Sequence, residues 1–510
     1  MSSLFDELGS LVRGAAIVFV GRVAGRALGL LGQVLIVREL TVQRFGHLAL
    51  AVTIVAAAAN VALLGVPQGV TRMLAADQRD ERQRAIVRAG ILTVCVSALA
   101  AGALVYALRF RIGALMDDPE LPRLLGWLFP YFLAFALTEV TIAALRGWKH
   151  SVRPALVRDL LPRVGALAVF GAFAATGRPF VGALGYWLAA PVLGAVFGLV
   201  VVGQLLPAGV RVGLSRTRET AVELWSFSWP LAVGSSLVLL LSNMDLLMIG
   251  ALLETTSIAE YRAIQPLREV TLFVVTSFAF LFYPIATEFY EADAYDDLDR
   301  LYTTATKWIT AASTPVALTF VLFAPDVIRV LFTERYVPAA PALSVLIAGM
   351  FLRVVVGPNG VMLKAIDRPR VELVGSAAGL AVNVALNLLL IPLYGLVGAA
   401  AATGLGFAVF NGLEVAVIYR ETGSHPFSLA TLKPLVVTAG AGVALAVALE
   451  GVALSLAALL AVGAALGVVH ILALFATRSL DAADLGLVER VEERAEIDLT
   501  PLKRAIDRQR

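Results

Sequence analysis

The chain has 510 residues, of which 59% are hydrophobic and 15% charged, with a net charge of +3. A soluble domain carries about 25% charged residues, so a chain this apolar is excluded from the soluble class and is expected to be an all-α integral membrane protein. The arginines are scattered through short loops, which leaves no basic face for nucleic acid, and the single cysteine, Cys95, excludes both a disulfide framework and a CxxC metal site.

Asp6 and Glu7 stand where a cleavable signal would have a basic segment, so the first span is read as its own insertion signal. Fourteen apolar runs, each about the length of a bilayer crossing, follow in order: 14–37, 46–66, 87–108, 124–145, 157–176, 180–205, 225–252, 262–286, 307–325, 338–363, 371–393, 396–418, 432–449 and 453–477. No interval between them is long enough for a soluble domain. The stretch 479–510 is charged and reads as a cytosolic helix, with Leu485, Val488, Val491 and Ala495 at helical spacing.

Basic residues collect in the even-numbered loops: Arg72, Arg79, Arg82, Arg84 and Arg88 in the second, Arg146, Lys149, Arg153 and Arg158 in the fourth, and Lys364, Arg368 and Arg370 in the tenth. The positive-inside rule therefore puts the even loops and both termini in the cytoplasm. Two pairs of segments match in pattern at an offset of about 215 residues: 35–52 with 248–265, and 145–157 with 363–375. They imply two six-helix bundles, 12–205 and 219–420, with two added helices over 430–478. An even number of spans per half makes the repeats parallel, related by an axis along the membrane normal.

Charge inside a span costs about 2.5–3.5 kcal/mol per residue on insertion scales, so such residues are expected to face water, a partner or a substrate. In the first span Arg22 and Arg26 share a helical face, beside a stripe of Gly21, Gly25 and Gly29 that permits close helix approach. Guanidinium forks suit phosphate. Asp245 lies in a run otherwise uncharged from Leu224 to Leu253, where a structural ion pair and an ion-coupling role are both open. Arg262, Arg268 and Glu269 open the eighth span. Glu139, Arg353 and Glu414, the last with Asn411 one turn before it, lie near span ends, where snorkelling or interhelical pairing competes with function. Gln33, Asn60, Asn243, Asn383 and Asn387 are the softer polar groups expected to line a hydrated cavity between the halves.

No GxxxxGK[ST], HExxH or GxSxG is present, and the four histidines are dispersed, so neither nucleotide hydrolysis nor metal-dependent hydrolysis is expected. Asp297-Leu298-Asp299 matches the DxD of glycosyltransferases but sits in a short acidic loop with no nucleotide-binding domain around it.

Three segments carry a family resemblance. GRVAGRALGLLGQVLIVRELTVQRFGHLALAVTIVAAAANVALLGVPQGVTRMLA (21–75) resembles the opening of polysaccharide-biosynthesis flippases, in which a glycine-rich helix leads through an "ARxLxxxxFG" link to a helix ending "LGxxxxxxR". WPLAVGSSLVLLLSNMDLLMIGALLETTSIAEYRAI (229–264) is similar to the family's seventh helix, with its aspartate before "xLLIG", and FAPDVIRVLFTERYVPAAPALSVL (323–346) to the ninth-to-tenth link. On these segments the chain resembles the Wzx-like oligosaccharide flippases, whose fold is like that of MATE transporters. The resemblance implies two bundles around a V-shaped cavity, alternating access, and an oligosaccharide on a polyprenyl phosphate or pyrophosphate as substrate. It also implies first-helix arginines matched by Arg22 and Arg26, and a seventh-helix aspartate matched by Asp245.

The resulting expectation is a monomeric, non-enzymatic flippase of the plasma membrane. Arg22, Arg26 and Arg268 would hold the headgroup phosphate, and Asp245, Glu269 and Glu139 would serve gating or ion coupling. No cofactor is expected beyond a proton or sodium gradient, and glycan-assembly enzymes are possible partners. The alternatives are a cation-coupled drug exporter and a lipid II flippase.

Overall fold

The computed structural model describes residues 21, 23–77, 79–150, 152–206, 213–480 and 484, all helical or connecting backbone with no strand among them. Arg22 and most of 479–510 lie outside the described residues. The chain forms two compact units, one ending at Ala263 and the other starting at Ile264.

In the first unit, α1 (23–39) is followed by α2 (Val42–Ala62), which starts on the Thr41 hydroxyl accepting from Arg44 N at 3.3 Å. The apolar run 46–66 lies largely in α2 and ends at a break in the chain. Leu64 and Gly65 both adopt positive φ, 52° and 70°, and Pro67 then opens α3 (Val66–Ala76). Gly65 is required there twice over: its backbone is left-handed, and a side chain would strike the Ser228 carbonyl. Next come α4 (Asp80–Leu115), α5 (Leu121–Trp127), α6 (Phe129–Gly147), α7 (Val152–Ala155), α8 (Leu161–Ala175), α9 (Pro179–Leu205) and α10 (Leu214–Leu252). Between α7 and α8, residues Leu156–Leu160 form a turn of π-helix. Pro162 has no N–H for the Arg158 carbonyl four residues back, so the backbone opens to the wider repeat.

The glycine stripe of α1 meets this region. A Cβ at Gly25 would lie 2.6 Å from Asp159 Cβ, and one at Gly29 3.4 Å from the Arg163 guanidinium. Helices α6 and α9 approach where Gly194 and Gly198 face Thr138 and Thr141, and Thr138 Oγ1 donates to the Pro191 carbonyl at 2.9 Å. Helix α10 packs on α2, α3 and α4.

The second unit begins within α11 (Thr255–Glu291) and continues through α12 (Tyr295–Leu322), α13 (Ala324–Leu331), a 3-10 turn (Glu334–Ala339), α14 (Ala340–Val355), α15 (Asn359–Ala365), α16 (Arg370–Thr422), α17 (Leu429–Ala448) and α18 (Leu456–Ala476). Helix α16 is a hairpin. Gly395, at φ 54° and ψ −130°, reverses the chain. Gly375 packs on Phe410, Asn383 Nδ2 donates to Thr403 Oγ1 at 3.4 Å, and Gly398 abuts Leu390, which is an antiparallel register. The runs 371–393 and 396–418 are therefore two helices joined at one glycine.

By length and apolarity alone, eight helices among the described residues could cross a membrane, or ten if two bent pairs each count as one span. That is fewer than the fourteen runs in the sequence. The hairpin is counted once there, α8 has only 15 residues, and α1 is described only from residue 23 onward.

The start of the stretch assigned to a charged tail belongs to the second unit. Lys307 Nζ donates to Asp484 Oδ2 at 2.6 Å and to the Ser479 carbonyl at 3.1 Å, and Trp308 Nε1 donates to Asp484 Oδ1 at 2.9 Å. The Lys307 and Asp484 side chains are only 4% and 0% exposed. Removing one member of a buried pair strands the other, at about 3–5 kcal/mol. Lys307→Ala is expected to lower the melting temperature of the purified protein markedly, and Lys307→Met with Asp484→Leu to recover much of the loss, both read by thermal unfolding in detergent.

Candidate headgroup cavity

The break between α2 and α3 opens a cavity of about 280 Å³ in the first unit. Asn60 and Gly65 line it from the break, Gln68 and Thr71 from α3, Glu139 and Arg146 from α6, Arg158 from the π turn, and Ala232, Ser236 and Leu239 from α10. Each wall has a local cause. Positive φ at residues 64 and 65 turns the chain into α3, whose first turn lines the space through Pro67 and Gln68. Thr71 Oγ1 lies 3.0 Å from the Ala143 carbonyl, fastening α3 to α6. The π turn carries Arg158, whose Nη2 sits 3.4 Å from Glu139 Oε1. Two arginines and one carboxylate line the cavity, so its side chains are net positive and suited to a phosphate.

A second polar group lies within the same unit. Gln33 Nε2 donates to the Arg262 carbonyl at 2.7 Å, the Arg262 guanidinium stands 5.5 Å from the Trp187 ring centre, and Arg163 Nη1 donates to Tyr186 OH at 3.3 Å. Gln33 thus fixes the start of α11 through its backbone. Arg26 is exposed on α1.

Asp245 is fully buried, and its Oδ1 accepts from Leu246 N at 2.8 Å. Ala232, Ser236 and Leu239 lie on one stripe of α10, which Asn243 continues. Two residues further on, Asp245 falls on the opposite side of the helix. Asn243 donates to its own helix at Leu239 O, 3.0 Å away.

In the second unit, Arg268 is 9% exposed, and its Nε stands 3.6 Å from the Glu269 carboxylate. Asn387 Nδ2 donates to Asn383 Oδ1 at 3.0 Å, extending the Thr403 contact into a staple across the α16 hairpin.

Of the residues singled out in the sequence, Asn60 and Glu139 come together in the cavity, Arg268 pairs with Glu269, and Asn383 with Asn387. Arg146 and Arg158 were legible only as loop charges marking topology. One signal was available: Arg158 and Arg163 fall inside the apolar run that starts at residue 157.

A family profile described as polysaccharide biosynthesis protein matches residues 11–289, more than half of the chain. The chain belongs to the polysaccharide biosynthesis protein family. The MatE profile matches residues 230–389. An uncharacterized membrane protein of Methanocaldococcus jannaschii is 26% identical over 233 residues, covering 45% of this chain and 46% of the relative. The "Probable low-salt glycan biosynthesis flippase Agl15" of Haloferax volcanii is 23% identical over 168 residues, covering 33% of this chain and 36% of the relative. The alignments thus span less than half the length of these curated relatives. The fold is similar to that of the lipid II flippase MurJ in an inward closed conformation, at a TM-score of 0.71 and 12% identity, over 89% of this chain and 98% of that one. This member of the polysaccharide biosynthesis family is therefore an integral membrane protein with a transporter fold.

Proposed function

We propose that the protein is a flippase that moves an oligosaccharide linked to a polyprenyl phosphate or pyrophosphate from the cytoplasmic to the outer leaflet of the plasma membrane, with both termini in the cytoplasm. The observation that carries this reading is the cavity in which Arg146 and Arg158 outweigh the single charge of Glu139. A cavity of that sign favours an acidic headgroup over a cationic drug. Family membership and the name of the Haloferax relative support the same substrate class. Arg22, Arg26 and Arg268 are proposed as further phosphate contacts along the path, and Asp245 as a gating group that exchanges ion-pair partners between states.

The alternatives each rest on one match: a drug exporter on the MatE profile, and a lipid II flippase on the fold of MurJ. The deciding measurement uses purified protein in lipid vesicles containing a fluorescent polyprenyl-diphosphate saccharide. An impermeant reductant is expected to bleach both leaflets when the protein is present and only the outer leaflet when it is absent. Movement of cationic dyes alone, or of peptide-bearing lipid alone, would replace the proposal with the corresponding alternative. Movement of none of these would overturn it.

A further inference from the structure

Glu414 of α16 is only 2% exposed, and among the described residues no hydrogen bond or ion pair reaches its carboxyl group. None of the polar groups around it bonds to it. Asn359, at the start of α15, gives its amide to Asn411 Oδ1 at 2.9 Å, which uses the acceptor one turn below the carboxyl. Arg353 of α14 and Lys364 of α15 are within electrostatic reach. Neither bonds to the carboxyl: Arg353 lies 5.3 Å from the Phe407 ring centre, and Lys364 pairs at 3.2 Å with Glu372, whose like charge also faces Glu414. Tyr302 of α12 donates its hydroxyl to the Val356 carbonyl at 2.8 Å.

Taking a carboxylate out of water with no hydrogen-bond donor is costly, so this arrangement favours the neutral acid for as long as Arg353 and Lys364 stay at their present distance. A metal ion does not fit instead: among the described residues no three carboxylate, histidine or cysteine side chains come together to hold one, the Asn411 amide oxygen is already bonded, and two cations stand close by.

The setting also supplies something to move. Helices α14 and α15 are separated at Gly357, φ 69°, where a side chain would strike Thr306, and Gly360 on α15 has room for a Cβ 3.8 Å from Glu414 Oε1. Losing the proton would leave a carboxylate that must recruit Arg353 from one side of this break or Lys364 from the other. Either move breaks an existing contact and shifts α14 or α15 against α16.

We propose that Glu414 is a proton-binding site of the second unit, and that its protonation state sets the position of the α14–α15 break. The inference does not depend on which molecule is carried.

The test uses the full-length protein in lipid nanodiscs. Infrared difference spectra between mildly acid and alkaline pH are expected to contain a band from a dry protonated carboxyl that is absent in Glu414→Gln. Spin labels on α15 and the second half of α16 are expected to change separation with pH in the wild type. In Glu414→Gln, which mimics the neutral acid, they stay at the low-pH separation at every pH. Because the amide is isosteric, gel filtration is expected to show an unaltered monodisperse protein. A protonated-carboxyl band that persists in Glu414→Gln would overturn the proposal. So would a pH-driven distance change that survives the substitution, or a carboxyl band that responds to sodium at constant pH. Failure of the vesicle flipping assay would leave these readouts untouched.

Discussion

Arg158→Ala is expected to reduce flipping of the lipid-linked saccharide at least ten-fold, and Arg158→Ala with Arg146→Ala to bring it to the level of empty vesicles. Each arginine offers charge-assisted hydrogen bonds worth about 1.5–3 kcal/mol, which corresponds to roughly ten-fold to hundred-fold in headgroup affinity. Arg158→Lys keeps the charge but loses the fork that matches phosphate, so an intermediate rate is expected. Removing Arg158 also deprives Glu139 of its partner at 3.4 Å. The Arg158→Ala, Glu139→Ala double variant separates these effects. Recovery of flipping there would mean that Arg158 only neutralises Glu139, whereas continued loss assigns it to the headgroup. Wild-type flipping in the two-arginine variant would place the headgroup elsewhere.

The second large effect is on stability. Gly349 of α14 and Gly404 of α16 cross with their backbones touching: a Cβ on Gly349 would lie 2.6 Å from Gly404 Cα, and one on Gly404 would lie 2.9 Å from Gly349 Cα. The obstruction is main chain on both sides, so no side-chain rotation relieves it and the helices have to separate. Overpacking of this kind costs about 1–3 kcal/mol. Gly349→Ala is expected to lower the melting temperature, and Gly349→Leu to abolish recovery of monodisperse protein. Gly412 lies on the same helix with nothing within 4 Å of a Cβ. Gly412→Ala is accordingly expected to be neutral or to stabilise by about 0.5–1 kcal/mol, from the usual preference of helices for alanine. Equal loss in the two alanine variants would mean that the crossing is not tight.

Hydropathy made the helices legible, because a membrane span must satisfy its backbone internally and leaves a long apolar run whatever its neighbours are. It did not show their ends: α4 (Asp80–Leu115) and α10 (Leu214–Leu252) extend well past the runs 87–108 and 225–252. It also separated the two arms of the α16 hairpin, whose apolar runs stop on either side of Gly395. The apolar run stops close to the break at Leu64 and Gly65, but hydropathy could not show that a second helix, α3, restarts there at once. The GVPQ sequence held the clue, glycine for positive φ and proline for a new first turn. The cavity arginines were read as topology markers for a different reason. A basic residue at the end of a span looks the same in sequence whether it points to water outside or lines a cavity. Arg158 reaches the cavity from a π turn next to Pro162, where Gly25 of another helix packs on Asp159. The asparagines at 383 and 387 were legible as polar groups in a span, but their staple with Thr403 became visible only with the reversal at Gly395.

That reversal fixes a parity. A hairpin returns the chain to the leaflet it left, so Arg370 and Thr422 emerge in the same compartment, where Arg368 meets Glu421 at 3.0 Å. Helices α17 and α18 make one more round trip, closed by the Thr438–His470 contact at 2.9 Å. The aqueous phase that bathes Arg368 therefore also receives the chain as it leaves α18, and an epitope inserted at either place should become accessible to the same impermeant reagent.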